Sequence, residues 1–297
     1  MLKCFDQKNQ PLVSVILPVY NGGHFISESI LSILNQDYKN IELIVIDDGS
    51  IDDTLNVINS FSYDGRVKII SRTNKGLVYS LNEAIGISNG QYLARMDADD
   101  ISHSQRISKQ VSYLEKNKDV AVLGTRTFTI DENNKIIGKC FRPTSFKEIK
   151  KYFYFGSPLA HPSVVFNMNI LKKDDIYYDE NSYPAEDLDL FIRLSGKFKL
   201  ENLSERLLKY RISSKGISSS NNYKQKAKSH EIRLQFHKTN VHEYNFIKAL
   251  DSEKNVFVYL FYILFRMFPL LLIESKSMKE IFVISLKAVR RRLFVKF

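Results

Sequence analysis

Three aspartates crowd into four positions directly after an apolar stretch. Asp97, Asp99 and Asp100 end the segment ARMDADD, residues 94–100, and the residues before them are typical of a buried strand. Two like charges about 4 Å apart repel by roughly 4 kcal/mol at an effective dielectric constant near 20. A divalent cation held by one or two carboxylates and by substrate phosphates would offset this repulsion. The other interpretation is a solvated loop in which Asp100 caps the next helix.

A second acidic pair, Glu186 and Asp187, stands in the segment AEDLDLFIRL, residues 185–194. Apolar residues recur behind the pair at helical spacing and predict one buried helix face, formed by Leu188, Phe191, Ile192 and Leu194. The acids then lie in the first turn, where the helix dipole favours negative charge by about 0.3–1 kcal/mol. This effect explains why acids are tolerated there without assigning them any chemistry.

The elements that must position these acids alternate between strand-like and helix-like patterns. Predicted strands cover residues 13–17, 41–46, 66–70, 91–96 and 120–124, and predicted helices cover residues 26–34, 52–61, 77–88 and 104–117. Strands separated by single helices indicate an α/β fold with a mainly parallel sheet and right-handed crossovers. Ligands of such sheets bind beyond the carboxyl ends of the strands.

Polar clusters follow the first four predicted strands. They are PVYN (18–21), DDGS (47–50), NKG (74–76) and DADD (97–100). Because the carboxyl ends of parallel strands share one edge of the sheet, we expect these clusters to form one site. Neither a G-x-x-x-x-G-K-[ST] phosphate loop nor a complete calcium-binding loop occurs in the sequence.

Composition narrows the class of protein. The chain has 297 residues, 44% of them hydrophobic, with a net charge of +10, which favours an anionic partner. Its two cysteines, Cys4 and Cys140, have no paired spacing, so a disulfide framework or a zinc site is not expected and a reducing cytosol fits. The polar N-terminus lacks a signal peptide's apolar core, so we expect a cytoplasmic protein.

Five segments in order resemble the family-2 inverting glycosyltransferases of the GT-A fold. They are VSVILPVYNGGHFISESILSILNQ, IELIVIDDGSIDDT, the NKG-to-DADD stretch, HPSVVF and AEDLDLFIRL, and the likeness spans about residues 12–215. The bacterial enzymes that build capsule, lipopolysaccharide or other surface polysaccharides are the most similar members. The resemblance implies transfer of a sugar from a nucleotide-sugar donor, expected to be a UDP-sugar, to a saccharide or lipid-linked acceptor.

The resemblance also implies a nucleotide site. Its residues are Pro18, Val19, Tyr20, Asn21, Asp48, Asn74, Gly76 and Asp97. Tyr20 would stack on the base, and Asp48 would accept a hydrogen bond from a uracil-type ring nitrogen. The alternative for Asp47 and Asp48 is a turn in which their side chains bond the backbone. Asp97 would face either the ribose or a metal.

Metal and catalytic roles follow from the same resemblance. Asp99 would be the principal ligand of a divalent metal, manganese or magnesium, with Asp97 beside it. Asp187 would be the general base that deprotonates the acceptor hydroxyl, and Glu186 would orient the acceptor. His161, in HPS, is either structural or close to the acceptor or diphosphate. Arg211 or Ser213 is a further candidate for contact with the diphosphate.

The C-terminal part of the chain changes in composition. We predict a GT-A catalytic domain over residues 1–220 and a helical basic and apolar region over residues 221–297. Residues 255–273 are almost wholly apolar, and residues 274–297 contain seven Lys or Arg and two Glu. This pattern favours contact with an anionic membrane surface, at the inner face of the cell membrane. The alternative is a helical hairpin packed on the catalytic domain.

Two other functions are weighed against a glycosyltransferase. A nucleotidyltransferase that makes sugar nucleotides would share an α/β scaffold, but it usually has a Gly-rich loop near the first strand, and YNGGH has only two glycines. A non-catalytic nucleic-acid-binding protein would explain the net charge. However, its basic residues should cluster on one face, whereas the strand ends here are acidic, so no nucleic-acid partner is expected.

Overall fold

One mixed sheet forms the centre of the fold in the computed structural model, which describes residues 10–153, 156–213 and 222–238. Its strands are β1 (Val13–Val19), β2 (Ile41–Asp47), β3 (Val67–Ser71), β4 (Tyr92–Arg95), β5 (Ile101–Ser102), β6 (Val120–Ile130), β7 (Ile136–Cys140), β8 (Val165–Asn167) and β9 (Lys199–Arg211). Their order is β3-β2-β1-β4-β8-β6-β9-β5, with β7 beside β6.

The first four strands in this order are parallel, as the strand–helix alternation predicted. β1 pairs with β2 on one side and β4 on the other, and β2 pairs with β3. Every residue of β1 is buried, because helices cover both faces of a parallel sheet of this kind. The predicted α/β fold, with these strands in a parallel arrangement, is confirmed.

The second half of the sheet includes antiparallel pairs. β8 runs antiparallel to both β4 and β6, whereas β9 runs parallel to β6 and antiparallel to β5. The sequence pattern predicted only residues 120–124 of β6, which continues to Ile130. β9, whose burial pattern is irregular along its 13 residues, was not predicted.

The helices of the described residues are α1 (Ile26–Leu34), α2 (Thr54–Asn59), α3 (Leu77–Ile87), α4 (Arg106–Lys116), α5 (Phe146–Tyr152), α6 (Glu186–Ser195) and α7 (Asn222–Lys238). Short 3-10 turns cover His161–Ser163, Lys173–Ile176 and Glu180–Ser182. The apolar stripe predicted on α1 is buried in the core. On α6, Leu190 belongs to the buried face and Ile192 is only partly buried.

The chain divides into two compact units, Met1–Arg233 and Leu234–Phe297. Of the second unit, only residues 234–238 are described. The boundary predicted at residue 220 and the apolar and basic segment over 255–297 both lie outside the described residues. Among the helices that the structure describes, none has the length and apolar character needed to cross a membrane.

Candidate active site

The carboxyl ends of the first four parallel strands lie at one edge of the sheet. Val19 at the end of β1 stands opposite Asp47 of β2, which in turn stands opposite Ser71 of β3. β4 flanks β1 on the other side, with Arg95 opposite Ile16. The loops that leave these strands carry the PVYN, DDGS, NKG and DADD segments, so the topology gathers all four at one edge.

Within PVYN, the first two side chains are buried and the last two are exposed. Pro18 and Val19 lie inside β1, whereas Tyr20 is 51% exposed. Asn21 has a φ of 51°, and its side-chain oxygen accepts a hydrogen bond from the Ile51 N–H over 2.9 Å. Asn21 thereby ties the first loop to the second, while the ring of Tyr20 presents a flat surface at the site's edge.

The two aspartates of DDGS have different partners. Asp47 accepts hydrogen bonds from the Ser50 N–H over 3.1 Å and from the Ser71 hydroxyl over 2.7 Å. Both contacts are internal to the fold, and the first is the side-chain turn that the sequence offered as the alternative role. Asp47 therefore stabilises the turn and the neighbouring strand.

Asp48 organises the loop after β3. It forms an ion pair with Arg72 and accepts hydrogen bonds from the Lys75 and Gly76 N–H groups over 2.8 and 2.9 Å. Its exposure is only 4%. The loop that carries Asn74 is thus wrapped around one buried carboxylate, which fixes the side of the site where a base is expected.

Gly49 is required where these two loops touch. Its φ is 75°, and a Cβ atom there would lie 2.7 Å from the Asn74 nitrogen and 2.9 Å from the Arg72 carbonyl oxygen. Both neighbours are backbone atoms, so Gly49→Ala should destabilise the protein by about 1–3 kcal/mol. Thermal unfolding measures this loss. Gly65→Ala is the matched control, since a Cβ there meets no atom within 4 Å; equal Tm values for the two variants would contradict the prediction.

The aspartates of DADD face three different environments. Asp97 forms an ion pair with Arg95. Burial and the adjacent charge of Asp97 raise the pKa of Asp99 to about 6. Asp100 is fully buried, and burial followed by the charges of Asp97 and Asp99 raises its pKa well above the ordinary value. The repulsion predicted from the sequence is therefore present in the structure: the raised pKa values show that simultaneous ionisation of these carboxyls is unfavourable.

Asp100 links the DADD loop to β9 and α1 and does not cap a helix. Its side chain accepts a hydrogen bond from the Arg211 N–H over 2.8 Å, and its carbonyl oxygen accepts one from the Ser29 hydroxyl over 2.7 Å. The next helix, α4, has Gln105 at its N-cap position. The capping role considered for Asp100 is wrong, because β5 intervenes and moves the helix start away.

The Arg211 side chain bonds other parts of the protein. Its guanidinium donates hydrogen bonds to the Asp99 carbonyl over 2.7 Å, to the Asp131 carbonyl over 2.9 Å and to the Glu28 carboxylate over 3.0 Å. Arg211 is 3% exposed. Each of its three nitrogens therefore has a protein partner, so the contact with a diphosphate considered for Arg211 is wrong. The residue instead clamps the DADD loop to the end of β9.

The second acidic pair begins α6. Glu186 is 6% exposed, and burial followed by the charge of Asp187 raises its pKa to about 7. Burial also raises the pKa of Asp187, which is partly exposed to solvent, while the cations Arg95 and Arg142 act in the opposite direction. Both carboxyls are thus better proton acceptors than ordinary surface acids.

The two acidic clusters share one electrostatic environment. The charge of Asp97 acts to raise the pKa of Glu186. The charge of Arg95 acts to lower the pKa of Asp99, of Glu186 and of Asp187. Contacts agree with this: the Arg106 guanidinium donates to the carbonyls of Arg95 and Pro162 over 3.2 and 2.6 Å, and His161, next to Pro162, packs its ring against Phe191 of α6. Folding therefore brings segments about 90 residues apart in the chain into one region.

His161 lies beside this region as a neutral side chain. Its Nε2 is 2.7 Å from the Tyr178 hydroxyl, and its ring meets the edge of Phe191 at a centroid distance of 6.1 Å. Burial and then the nearby charge of Arg95 lower the pKa of His161 well below its ordinary value. His161 therefore carries no positive charge toward a diphosphate, and its visible contacts are structural.

Comparison with known proteins decides the family. The sequence model of glycosyl transferase family 2 matches residues 14–173, more than half of the chain. The chain belongs to glycosyl transferase family 2. The matched range contains the PVYN, DDGS, NKG, DADD and HPS segments, whereas Glu186 and Asp187 lie beyond its end.

Curated glycosyltransferases are similar to this chain over most of its length. An uncharacterized glycosyltransferase of Haemophilus influenzae is 37% identical over 236 residues, covering 76% of this chain and 73% of the relative. One from Methanocaldococcus jannaschii is 36% identical and covers 92% of this chain and 96% of the relative. An O-antigen biosynthesis glycosyltransferase of Escherichia coli is 34% identical, with 70% of this chain and 83% of the relative covered.

Two solved structures share the fold, and they confirm the GT-A fold predicted from the sequence. S. aureus TarS 1–349 in complex with UDP-GlcNAc matches with a TM-score of 0.62 at 19% identity, covering 93% of this chain and 80% of that one. A mannosyltransferase from Pyrobaculum calidifontis in complex with GDP-Man and Mn²⁺ matches with a TM-score of 0.57 at 17% identity, covering 84% and 67%. At these identities the likeness concerns the fold.

Arg95 is the residue of this family-2 site that sequence reasoning missed. It is 2% exposed at the end of β4 and forms the ion pair with Asp97. A signal was present: a lone arginine inside an apolar strand, two positions before Asp97, projects to the same face as Asp97. A charge is rarely buried without a partner, so the pair was foreseeable.

Asp97 and Asp99 could together hold a divalent cation that is also bound by the phosphates of a ligand. Among the described residues, no three His, Cys, Asp or Glu side chains are grouped to hold a metal by themselves. Asp97 and Asp99 form a carboxylate pair whose repulsion helps raise the pKa of Asp99. Magnesium is usually bound through one or two carboxylates, with substrate phosphates and water supplying the remaining ligands. A family-2 domain with this pair meets that requirement.

Proposed function

We propose that this protein is an inverting glycosyltransferase that moves a sugar from a nucleoside diphosphate, with a UDP-sugar as the expected donor. The acceptor would be a saccharide or lipid-linked saccharide in bacterial surface polysaccharide synthesis. The observation that carries the proposal is that the strand ending at Arg95, just before the DADD acids, and the helix that starts with Glu186 and Asp187 lie against the same HPS turn: Arg106 bonds the carbonyls of both Arg95 and Pro162, and the His161 ring packs against Phe191 of α6. The E. coli relative, an O-antigen biosynthesis glycosyltransferase, supports the acceptor class.

The donor side consists of the strand-end loops. Tyr20 offers its exposed ring to the base, and the loop held by Asp48 places Asn74 and Gly76 beside it. The buried Pro18 and Val19 contribute through the backbone that leaves β1. Asp48 has one oxygen with a single N–H partner, and this oxygen keeps capacity to accept a further bond from a base nitrogen.

A divalent cation, Mn²⁺ or Mg²⁺, would be held by Asp99 and Asp97 and would neutralise charge on the departing diphosphate. The Pyrobaculum mannosyltransferase, whose solved structure contains GDP-Man and Mn²⁺, supports this assignment. With a pKa of about 6, the Asp99 carboxyl would be largely ionised at neutral pH, and the residue is only partly buried, as a metal ligand must be.

The acceptor side is assigned to α6. Asp187 would take the proton from the acceptor hydroxyl while the hydroxyl oxygen bonds to the anomeric carbon. The bond from that carbon to the diphosphate oxygen breaks on the opposite face, and the nucleoside diphosphate leaves with the electron pair. A base with a raised pKa is better matched to proton abstraction near neutral pH, and such catalysis typically contributes about 10²–10⁴-fold. Glu186 would orient the acceptor.

No observation favours the two alternative functions, a sugar-nucleotide nucleotidyltransferase and a nucleic-acid-binding protein. Membership of the glycosyl transferase family replaces the nucleotidyltransferase hypothesis. A nucleic-acid-binding role would place phosphates at an edge of the sheet where Asp97, Asp99 and Glu186 supply negative charge. Contact with the inner face of the membrane through residues 255–297 stays a prediction from the sequence.

A donor screen tests the proposal. The full-length protein is incubated with UDP-, GDP- and dTDP-sugars and a panel of aryl glycoside acceptors, with Mn²⁺, with Mg²⁺ or with EDTA. We expect metal-dependent release of one nucleoside diphosphate and a product whose anomeric configuration, read by NMR, is opposite to that of the donor. Retention of configuration would contradict the mechanism, and unchanged turnover in EDTA would contradict the metal.

A further inference from the structure

Arg95 is a buried cation with unused hydrogen-bonding capacity. One of its terminal nitrogens pairs with Asp97, yet its Nε and Nη1 atoms have no hydrogen-bond partner among the residues that the structure describes. Its backbone is held in the sheet, where its N–H donates to the Val164 carbonyl over 2.9 Å, and the Arg106 guanidinium donates to its carbonyl over 3.2 Å. A guanidinium is costly to bury when its N–H groups lack acceptors. Two of the three nitrogens of Arg95 are therefore available to an acceptor inside the site.

Glu186 has a buried acceptor atom that lacks a donor. Within the described part of the chain, its Oε2 atom is buried without a hydrogen-bond partner. Its carboxyl lies within the electrostatic influence of Arg95, which favours the ionised form. One site thus contains a buried donor and a buried acceptor of opposite charge, each incomplete, and they belong to the two different acidic clusters.

We propose that Arg95 is a positioning residue that bridges the two clusters, bonding Asp97 on the donor side and Glu186 on the acceptor side when the site is occupied. The inference rests on the proposed function. When Asp97 helps to hold the metal of a bound nucleotide, its ion pair with Arg95 would weaken. The guanidinium then gains a partner by donating to Glu186, which holds that carboxylate in place for the acceptor. Donor binding and acceptor positioning become linked through one side chain.

A double-mutant cycle tests the bridge. Binding of Mn²⁺ with UDP, and separately with GDP, is measured by calorimetry for the wild type, Arg95→Met, Glu186→Met and the double variant. We expect Glu186→Met to weaken nucleotide binding about 5- to 10-fold in the wild-type background, since Arg95 loses its second partner. In the Arg95→Met background the same change should alter binding less than about 2-fold. Arg95→Lys, which keeps the charge, should restore part of the coupling.

Equal effects of Glu186→Met in both backgrounds would overturn the bridge while leaving the proposed function intact. Failure of the wild type to bind either nucleotide with Mn²⁺ would instead contradict the proposed function. If Arg95→Met does not fold, the cycle is run with Arg95→Gln, which removes the charge but keeps a polar side chain, and additivity there overturns the inference. Arg66→Met is the matched control, because Arg66 forms an ion pair with Asp64 at a partly exposed position; its cycle with Glu186→Met should be additive.

Discussion

Asp187→Asn is expected to lower kcat by about 10²-fold or more while leaving the binding of metal and nucleotide nearly unchanged. The amide preserves the size and polarity of the side chain but does not take up a proton. Loss of the base therefore affects the chemical step. The donor loops that hold the nucleotide lie on other elements and stay intact. Steady-state kinetics of nucleoside diphosphate release measures kcat, and calorimetry measures nucleotide binding.

Asp189→Asn provides the control on the same helix. Asp189 pairs with Arg193 over 2.8 Å, one turn further along α6, so its replacement removes one ion pair of the helix and no proposed base. An exposed pair of this kind contributes only about 0.3–0.5 kcal/mol, and kcat should stay within about 2-fold. Near-normal turnover in Asp187→Asn would exclude it as the base, and an equal loss in both variants would indicate a damaged helix.

Asp99→Asn is expected to have opposite effects on stability and on ligand binding. The pKa of Asp99 rises from 3.8 to about 6, so the fold holds this proton more tightly than the unfolded chain does. Stability associated with the group is present at low pH and is lost as the pH rises from about 4 to 6. At pH 7 the neutral amide should therefore stabilise the ligand-free protein by about 1–3 kcal/mol. It should also weaken Mn²⁺-assisted nucleotide binding by at least about 10-fold.

Two measurements separate these effects. Thermal unfolding of the free protein should give a higher Tm for Asp99→Asn than for the wild type at pH 7, with the difference vanishing near pH 4. Titration with Mn²⁺ and nucleotide should show the loss of affinity. Asp119→Asn is the control, since the Asp119 side chain is 70% exposed and should change neither quantity. Unchanged metal-assisted binding in a folded Asp99→Asn protein would show that Asp99 is not the main ligand.

The parallel half of the fold was predictable because its signals are local. Each of the first four strands is a short apolar run, and each is followed by a polar cluster and a helical stripe, so handedness and pairing followed from general rules. β9 escaped prediction because its long, irregular burial pattern depends on pairing with β6, about 80 residues earlier. Such pairing is a property of the assembled sheet and leaves little trace in local composition.

In the candidate site, too, local features were predictable and long-range contacts were not. The positions of Asp48, Asp97 and Glu186 could be anticipated from strand ends and from the family resemblance. Their partners could not, because the contacts of Asp48 with Arg72, of Asp97 with Arg95 and of Asp100 with Arg211 depend on which side chains share the interior. Asp100 illustrates the limit: its spacing from the next helix suggested a cap, and only the intervening β5 shows otherwise.

The clamp made by Arg211 sets a lower limit on the length of a functional fragment. Although the family match ends at residue 173, Arg211 holds the carbonyl of Asp99 and the carboxylate of Asp100 from the last position of β9. A fragment trimmed to the matched range would lack both the acidic start of α6 and this clamp. Expression boundaries for this protein must therefore lie beyond residue 211, even where only nucleotide binding is wanted.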